Sequence, residues 1–205
     1  MSAPPKTVLA ASPAEAAAIR AAVRTPDLRA FGGLAVVATL AHAPALTALL
    51  ADPAVSDPIY DLPRPMTLER VTAWIAATEA LREQGQALLL VTLDDTGRVA
   101  GYSRFMVWPE RASAEIAGAR RADLQSAGSG SAGAARSFDW MFETLGARLI
   151  GLTAALDNVR SARVIEAAGF TPMGERDSLR PDGTVRPSLY WEMTREAWRA
   201  RRITA

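Results

Sequence analysis

Along this chain the hydrophobic positions alternate between a helical and an extended period, and the changes of period mark out its elements. Residues 13–24 (PAEAAAIRAAVR) predict a helix, with Ser12 as its cap and Pro13 in its first turn. Gly32-Gly33 precede a first strand, LAVVATL, and Pro44 to Ala51 predict a short helix. Four prolines (Pro53, Pro58, Pro63 and Pro65) predict loop for the segment ADPAVSDPIYDLPRPM. Thr67 caps the next helix, where Val71, Trp74, Ile75 and Leu81 recur at helical spacing, and Gly85 ends it.

The continuous apolar run 87–93 (ALLLVTL), the turn Asp94-Asp95-Thr96-Gly97 and the run VAGYSRFMVW predict a hairpin closed by Pro109. Residues 113–118 (SAEIAG) predict a further strand. Phe138, Met141, Phe142 and Leu145 mark one face of a helix stopped by Gly146, and 148–156 (RLIGLTAAL) predict a strand. Asp157 or Asn158 caps a helix that ends at Gly169, and residues 170–195 predict a last hairpin around Pro181-Asp182-Gly183. The resulting order, β-α-α-β-β-β-α-β-α-β-β, is that of a mixed α/β sheet. Residues 1–30 form an N-terminal extension with a short helix, and 31–200 a single domain. The extension could cover a sheet edge, shape a substrate pocket or mediate dimerisation.

Composition then narrows the chemistry. Of 205 residues, 49% are hydrophobic and 22% charged, enough for a substantial core. The absence of cysteine excludes disulfides, thiolate zinc sites and cysteine nucleophiles. One histidine, His42, argues against a histidine-built metal site or a Ser-His-Asp triad, so no metal is expected. His42 itself reads as a surface or capping residue. With 23 basic and 22 acidic residues, the net charge of +1 gives no footprint for nucleic acid. No stretch has the length and apolarity of a membrane span, and residues 1–12 do not read as a signal peptide. All basic residues but Lys6 are arginine, which suggests a GC-rich genome, and a cytoplasmic bacterial protein is the expectation.

Gln125-Ser126-Ala127-Gly128-Ser129-Gly130-Ser131 opens directly into a helix. Unpaired N–H groups and the helix dipole make such a turn an anion site, and its small residues let a phosphate approach the main chain. The same composition also suits a flexible linker. Gly128-x-Gly130-x-x-Gly133, with Asp157 downstream, matches the dinucleotide-binding fingerprint. That fingerprint should follow directly on a strand, whereas a polar stretch, 119–125, intervenes here.

The segment after the next strand separates these readings. From Thr153 the chain reads TAALDNVRSARVIEAAGFTPMGE. With Gln125, Gly128 and Gly130 before it, this run of Asn158, Ser161, Arg163, Val164, Ile165, Glu166, Gly169 and Phe170 resembles the GNAT acetyltransferase superfamily. The similarity is to its ribosomal-protein N-terminal acetyltransferase branch and covers about residues 33–198.

The resemblance implies a mostly antiparallel sheet splayed between its fourth and fifth strands, with acetyl-CoA as co-substrate and an amine that attacks the thioester directly. It places the pyrophosphate on residues 125–131 with Asn158 nearby, the oxyanion on a backbone N–H of strand 113–118, and Glu115 as base. Where many relatives protonate the thiolate with a tyrosine this chain has Ile165, and the resemblance to the ribosomal-protein branch implies that the serine one turn after the asparagine, here Ser161, takes that role. Arg120 and Arg121 could meet the adenosine 3′-phosphate or remain solvated. Trp108, Tyr60 and Trp74 could line the acceptor pocket or belong to the core, and Asp57 and Asp61 could attract a cationic amine. The acceptor is a small-molecule or peptide amine, with no nucleic acid or membrane partner expected and a homodimer left open. A silent acyl-CoA binder and an NAD oxidoreductase are the rival readings.

Overall fold

A computed structural model describes residues 2–124 and 129–204. Its elements are α1 (Pro13–Arg24), β1 (Ala35–Val37), α2 (Ala43–Leu50), α3 (Pro53–Ser56), α4 (Leu68–Glu83), β2 (Ala87–Leu93), β3 (Val99–Trp108) and β4 (Ser113–Arg120). These are followed by α5 (Ser129–Asp139), β5 (Leu149–Ala155), α6 (Val159–Ala167), β6 (Thr171–Leu179), β7 (Val185–Thr194) and α7 (Arg195–Thr204). The seven strands form one sheet in the order β1-β2-β3-β4-β5-β7-β6. Every pairing is antiparallel except β4 with β5.

Helices cover both faces, which is why β2 reads as an unbroken apolar run. Leu88 and Leu90 point into the core under α1, α5 and α6, with Phe105, Trp140, Ile150, Leu152 and Trp191. Leu89 and Val91 point the other way, into a second cluster with Leu46, Leu50, Val71, Ile75 and Tyr102. Ile19 and Val23 carry α1 into the first cluster, so the N-terminal extension shares the main core.

Local chemistry sets the helix ends. Ser12 Oγ accepts from the Glu15 N–H, Thr67 Oγ1 from Arg70 and Asn158 Oδ1 from Ser161, which settles the cap of α6 on Asn158 rather than Asp157. His42 Nδ1 accepts from the Thr39 N–H at 3.0 Å, a capping role. This turn at Thr39 also shortens the first strand to Ala35–Val37, against the expected 34–40. Within the proline-rich segment, Asp52 caps the single turn α3 by accepting from the Ala54 N–H. Helix α7 was not expected from the sequence. It starts where Thr194 Oγ1 accepts from the Ala197 N–H, and it buries Trp198 against Phe138 and Phe142.

Gly85 has φ +74°, and a Cβ there would lie 2.6–2.7 Å from Arg20 Cβ, Cγ and Cα of α1. Gly97 has φ +81° with nothing within 4 Å of its would-be Cβ. Gly97→Ala should therefore cost about 1–2 kcal/mol, the left-handed penalty alone. Gly85→Ala should cost clearly more because α1 must shift. Urea unfolding of the two variants side by side checks this, and equal losses would show that α1 yields freely.

Candidate functional site

Strands β4 and β5 pair only through Ser113↔Leu149 and Ala114↔Ile150. Beyond that point β4 continues to Arg120 against β3, and β5 continues to Ala155 against β7, so the expected splay is present. The Arg121 N–H bonds to Ala100 O on the β3 side, while Ala112 O accepts from Arg148 and Leu149 on the β5 side. Main-chain groups alternate along a strand, so those of Ile116 and Gly118 face the open edge. The facing residues are small on both strands: Ala117, Gly118 and Ala119 on β4, and Thr153, Ala154 and Ala155 on β5. A strand edge of this kind suits an extended amide-bearing chain such as pantetheine.

Helix α5 begins at Ser129, at the end of the glycine-rich turn, as the sequence predicts. Gln125, Ser126, Ala127 and Gly128 lie outside the described residues. Ser131 is exposed on the first turn. Asn158 and Ser161 meet at the start of α6, just beyond the C-terminal end of β5, joined by the 3.0 Å bond from the Ser161 N–H to Asn158 Oδ1. Asn158 is thus a helix cap whatever else it does. Ile165 is buried in the core.

Glu115 is the most perturbed carboxylate of the site. It is only 7% exposed, on the face of β4 opposite the α5–α6 core. Tyr60 donates to its Oε1 at 3.2 Å, and Thr153 Oγ1 lies 3.5 Å from the same oxygen. Burial, then the charge of Asp61, push the carboxyl up to about 7, while hydrogen bonds from Ser2 and Tyr60 and the charge of Arg176 pull the other way. Burial and the neighbouring charge of Glu115 push the Tyr60 hydroxyl far up, so it stays a donor. Arg186 of β7 stacks over the Tyr60 ring at 5.1 Å and donates to Pro58 O at 2.6 Å, which fixes the loop that presents Tyr60.

Beside Glu115 lies a cavity lined by Ala3, Tyr60, Glu115, Thr153, Arg176, Asp177 and Ser178. It has room for about one water. Of the three aromatics considered for an acceptor pocket, Tyr60 lines this cavity. Trp74 packs edge-on against Tyr102 in the second core cluster, and Trp108 is half-buried at the end of β3.

The two loop aspartates differ in their surroundings. Asp61 is buried 2.8 Å from Arg104 and offers no free carboxylate to a cationic amine, whereas Asp57 is exposed, 3.4 Å from Arg64. Arg121 is held, 2.7 Å from Asp123 and 3.2 Å from Asp94, rather than solvated.

Sequence reasoning missed the partners on β5, β6 and β7. Strand alternation held the signal: Gly151 and Thr153 share one face of β5, and Tyr190 and Glu192 share that face on β7, opposite Trp191. It also missed that residues 2–7 lie on this face. The Lys6 N–H donates to Tyr190 Oη at 3.0 Å and the Thr7 N–H to Glu192 Oε1 at 3.0 Å. Ala3 of the extension lines the cavity beside Glu115. Among the described residues no group of three or more acidic or histidine side chains could hold a metal, and no helix is long and apolar enough to cross a membrane.

Residues 34–171 match the family model described as an acetyltransferase (GNAT) domain. A search of curated proteins finds no match. Among solved structures, Mycobacterium smegmatis RimJ in complex with CoA-disulfide is 23% identical, with 79% of this chain and 81% of that chain covered at a TM-score of 0.66. RimL, a ribosomal L7/L12 alpha-N-protein acetyltransferase in complex with coenzyme A, is 20% identical, with coverage of 80% and 94% and a TM-score of 0.68. An aminoglycoside acetyltransferase in complex with coenzyme A and kanamycin is 21% identical, with coverage of 82% and 98% and a TM-score of 0.63. At these identities the likeness is one of fold.

Proposed function

The chain belongs to the GNAT acetyltransferase family, and we propose that it transfers the acetyl group of acetyl-CoA to a primary amine approaching from the Glu115 side of the sheet. The observation that carries this reading is a buried carboxyl held at about 7, beside the open edge between β4 and β5. A group titrating there can accept a proton near neutral pH, which an ordinary glutamate does poorly.

Acetyl-CoA, when bound, supplies the acyl thioester. The open edges of β4 and β5 would hold its pantetheine arm, and residues 125–131 with Asn158 its phosphate end. The Ile116 N–H, aimed at the open edge, would donate to the developing oxyanion. As the new C–N bond forms and the C–S bond breaks, Glu115 takes the proton released by the amine nitrogen. Ser161, one turn into α6, would hydrogen-bond the leaving sulfur and deliver its proton. Fold alone does not choose the acceptor: the RimL relative acts on a protein α-amine, and the aminoglycoside enzyme is seen with kanamycin.

Calorimetric titration with acetyl-CoA, coenzyme A and NAD, followed by a screen of amines for thiol release, tests the proposal. Coenzyme A should bind and NAD should not, and at least one amine should release thiol. NAD binding without coenzyme A binding would overturn the reading, and coenzyme A binding with no thiol from any amine would leave a silent binder. Gly128→Glu should abolish coenzyme A binding, because a carboxylate would then stand against the pyrophosphate; unchanged affinity would remove the cradle.

A further inference from the structure

Residues 2–7 cross the face on which Glu115 stands, and their contacts are made largely through main chain. The Lys6 and Thr7 N–H groups donate to Tyr190 Oη and Glu192 Oε1, each at 3.0 Å. The Arg111 guanidinium donates to Pro5 O at 2.5 Å and to Thr7 O at 3.0 Å. Pro5 is buried over Gly151, where a Cβ would lie 3.2 Å from Pro5 Cγ. Lys6 adds side-chain contacts, from Nζ to the carbonyls of Met173 (3.2 Å) and Glu175 (2.9 Å) and over the Tyr190 ring at 5.2 Å. At the far end Ser2 Oγ lies 3.3 Å from the Tyr60 hydroxyl and bonds Glu115.

Two physical points follow. The segment is not a strand of the sheet: side chains of Tyr190, Glu192 and Arg111 grip peptide groups around the bend at Lys6 and Thr7, and another polypeptide that takes the same bend presents the same groups. It also fills the approach to Glu115, since the space left beside the carboxylate holds about one water, too little for an alkylamine. An amine can meet Glu115 only if Ser2 and Ala3 move away. The anchors that would remain lie downstream, where the Ala11 N–H bonds Glu110 O at 2.9 Å and Arg148 bonds both Ala10 O and Glu15.

We infer that residues 2–7 are a displaceable resident of the acceptor channel, and that the channel receives a polypeptide segment, held by its peptide groups, in their place. The inference rests on the reading of Glu115 as the acceptor-side base. A tethered resident competes at an effective concentration on the order of millimolar, so its removal should strengthen peptide binding at least tenfold.

The test needs no acetyl-CoA. The peptide Ser-Ala-Pro-Pro-Lys-Thr, fluorescein-labelled at its C-terminus, is titrated by anisotropy against the full chain, a variant lacking residues 2–7, and full-length Lys6→Ala. The truncated protein should bind it at least tenfold more tightly than the full chain, with Lys6→Ala between the two. A second peptide of the same length that keeps the two prolines but replaces Lys6 with alanine should compete, whereas spermidine and kanamycin should not.

If the truncated protein, folded by circular dichroism, binds the peptide no better than the full chain, the inference is overturned. If it does not fold, Lys6→Ala alone decides, and peptide binding equal to that of the unaltered chain overturns the inference. Competition by spermidine or kanamycin but not by the second peptide would assign the channel to small amines instead. Coenzyme A binding and thiol release are separate readouts, so failure here leaves the proposed acetyltransferase activity standing.

Discussion

Glu115→Gln is expected to lower kcat by roughly 10²–10⁴-fold, the usual contribution of a positioned general base. The replacement keeps the shape of the side chain and its contact with Tyr60, and removes only the ability to take a proton. In the unaltered enzyme the acid limb of the kcat/KM profile should bend at about 7, because burial and the charge of Asp61 hold the carboxyl there. Below that pH the group is protonated and kcat/KM should fall tenfold per unit; in the glutamine variant that limb should vanish. A variant with normal turnover, or with the same bend near 7, would remove Glu115 from the mechanism.

The same carboxyl makes a stability prediction of definite sign. It binds its proton more tightly in the folded chain, at about 7, than at its ordinary value of 4.5. Its contribution is therefore fully present below about pH 4.5 and lost as pH rises through 7. The size is about 3 kcal/mol, from the displacement of the carboxyl converted at 1.36 kcal/mol per unit. Urea midpoints should thus fall between pH 5 and 8 for the unaltered chain and change less for Glu115→Gln.

Most elements were legible because their signals are local. Ser12 and Thr67 cap the helices they were expected to cap, Asn158 is the one of the two expected candidates that caps α6, Gly85, Gly146 and Gly169 end theirs at positive φ, and Pro109 closes β3. Glu115, singled out from the family resemblance, is buried with its carboxyl raised to about 7, which is compatible with the proposed role of base. What surrounds it was not legible, because it is assembled from afar. Tyr60, Thr153 and Ser2 come from a loop, a strand on the far side of the splay and the extension, and no single stretch of sequence displays that meeting.

The pairing of Asp61 was hidden for the same reason, since Arg104 lies 43 residues away on β3. Helix α7 is a different case. Its Thr194 cap, Glu196 in the first turn and arginines in the last are local signals in the sequence, but the expected hairpin ran to residue 195 and nothing was assigned beyond it.

Arg104→Met should be the most destabilising of the single changes considered. Arg104 Nη1 lies 2.8 Å from Asp61 Oδ2, with side-chain exposures of 13% and 4%, and its guanidinium stacks over Trp74 at 5.9 Å. Removing the cation leaves a buried carboxylate without its counter-charge, which costs about 3–5 kcal/mol. For a chain of this size that corresponds to a melting temperature lower by roughly 6–20 °C. Asp61→Asn combined with Arg104→Met should recover most of the loss, because the pair as a whole repays little more than its own desolvation. The catalytic readout moves in opposite directions: an uncompensated Asp61 pushes the Glu115 carboxyl further up, and Asp61→Asn removes the second largest cause of its elevation. The acid limb of the pH–rate profile should therefore shift to higher pH in Arg104→Met and to lower pH in Asp61→Asn. Limbs that stay in place in both variants would show that Asp61 and Arg104 serve the fold without tuning the base.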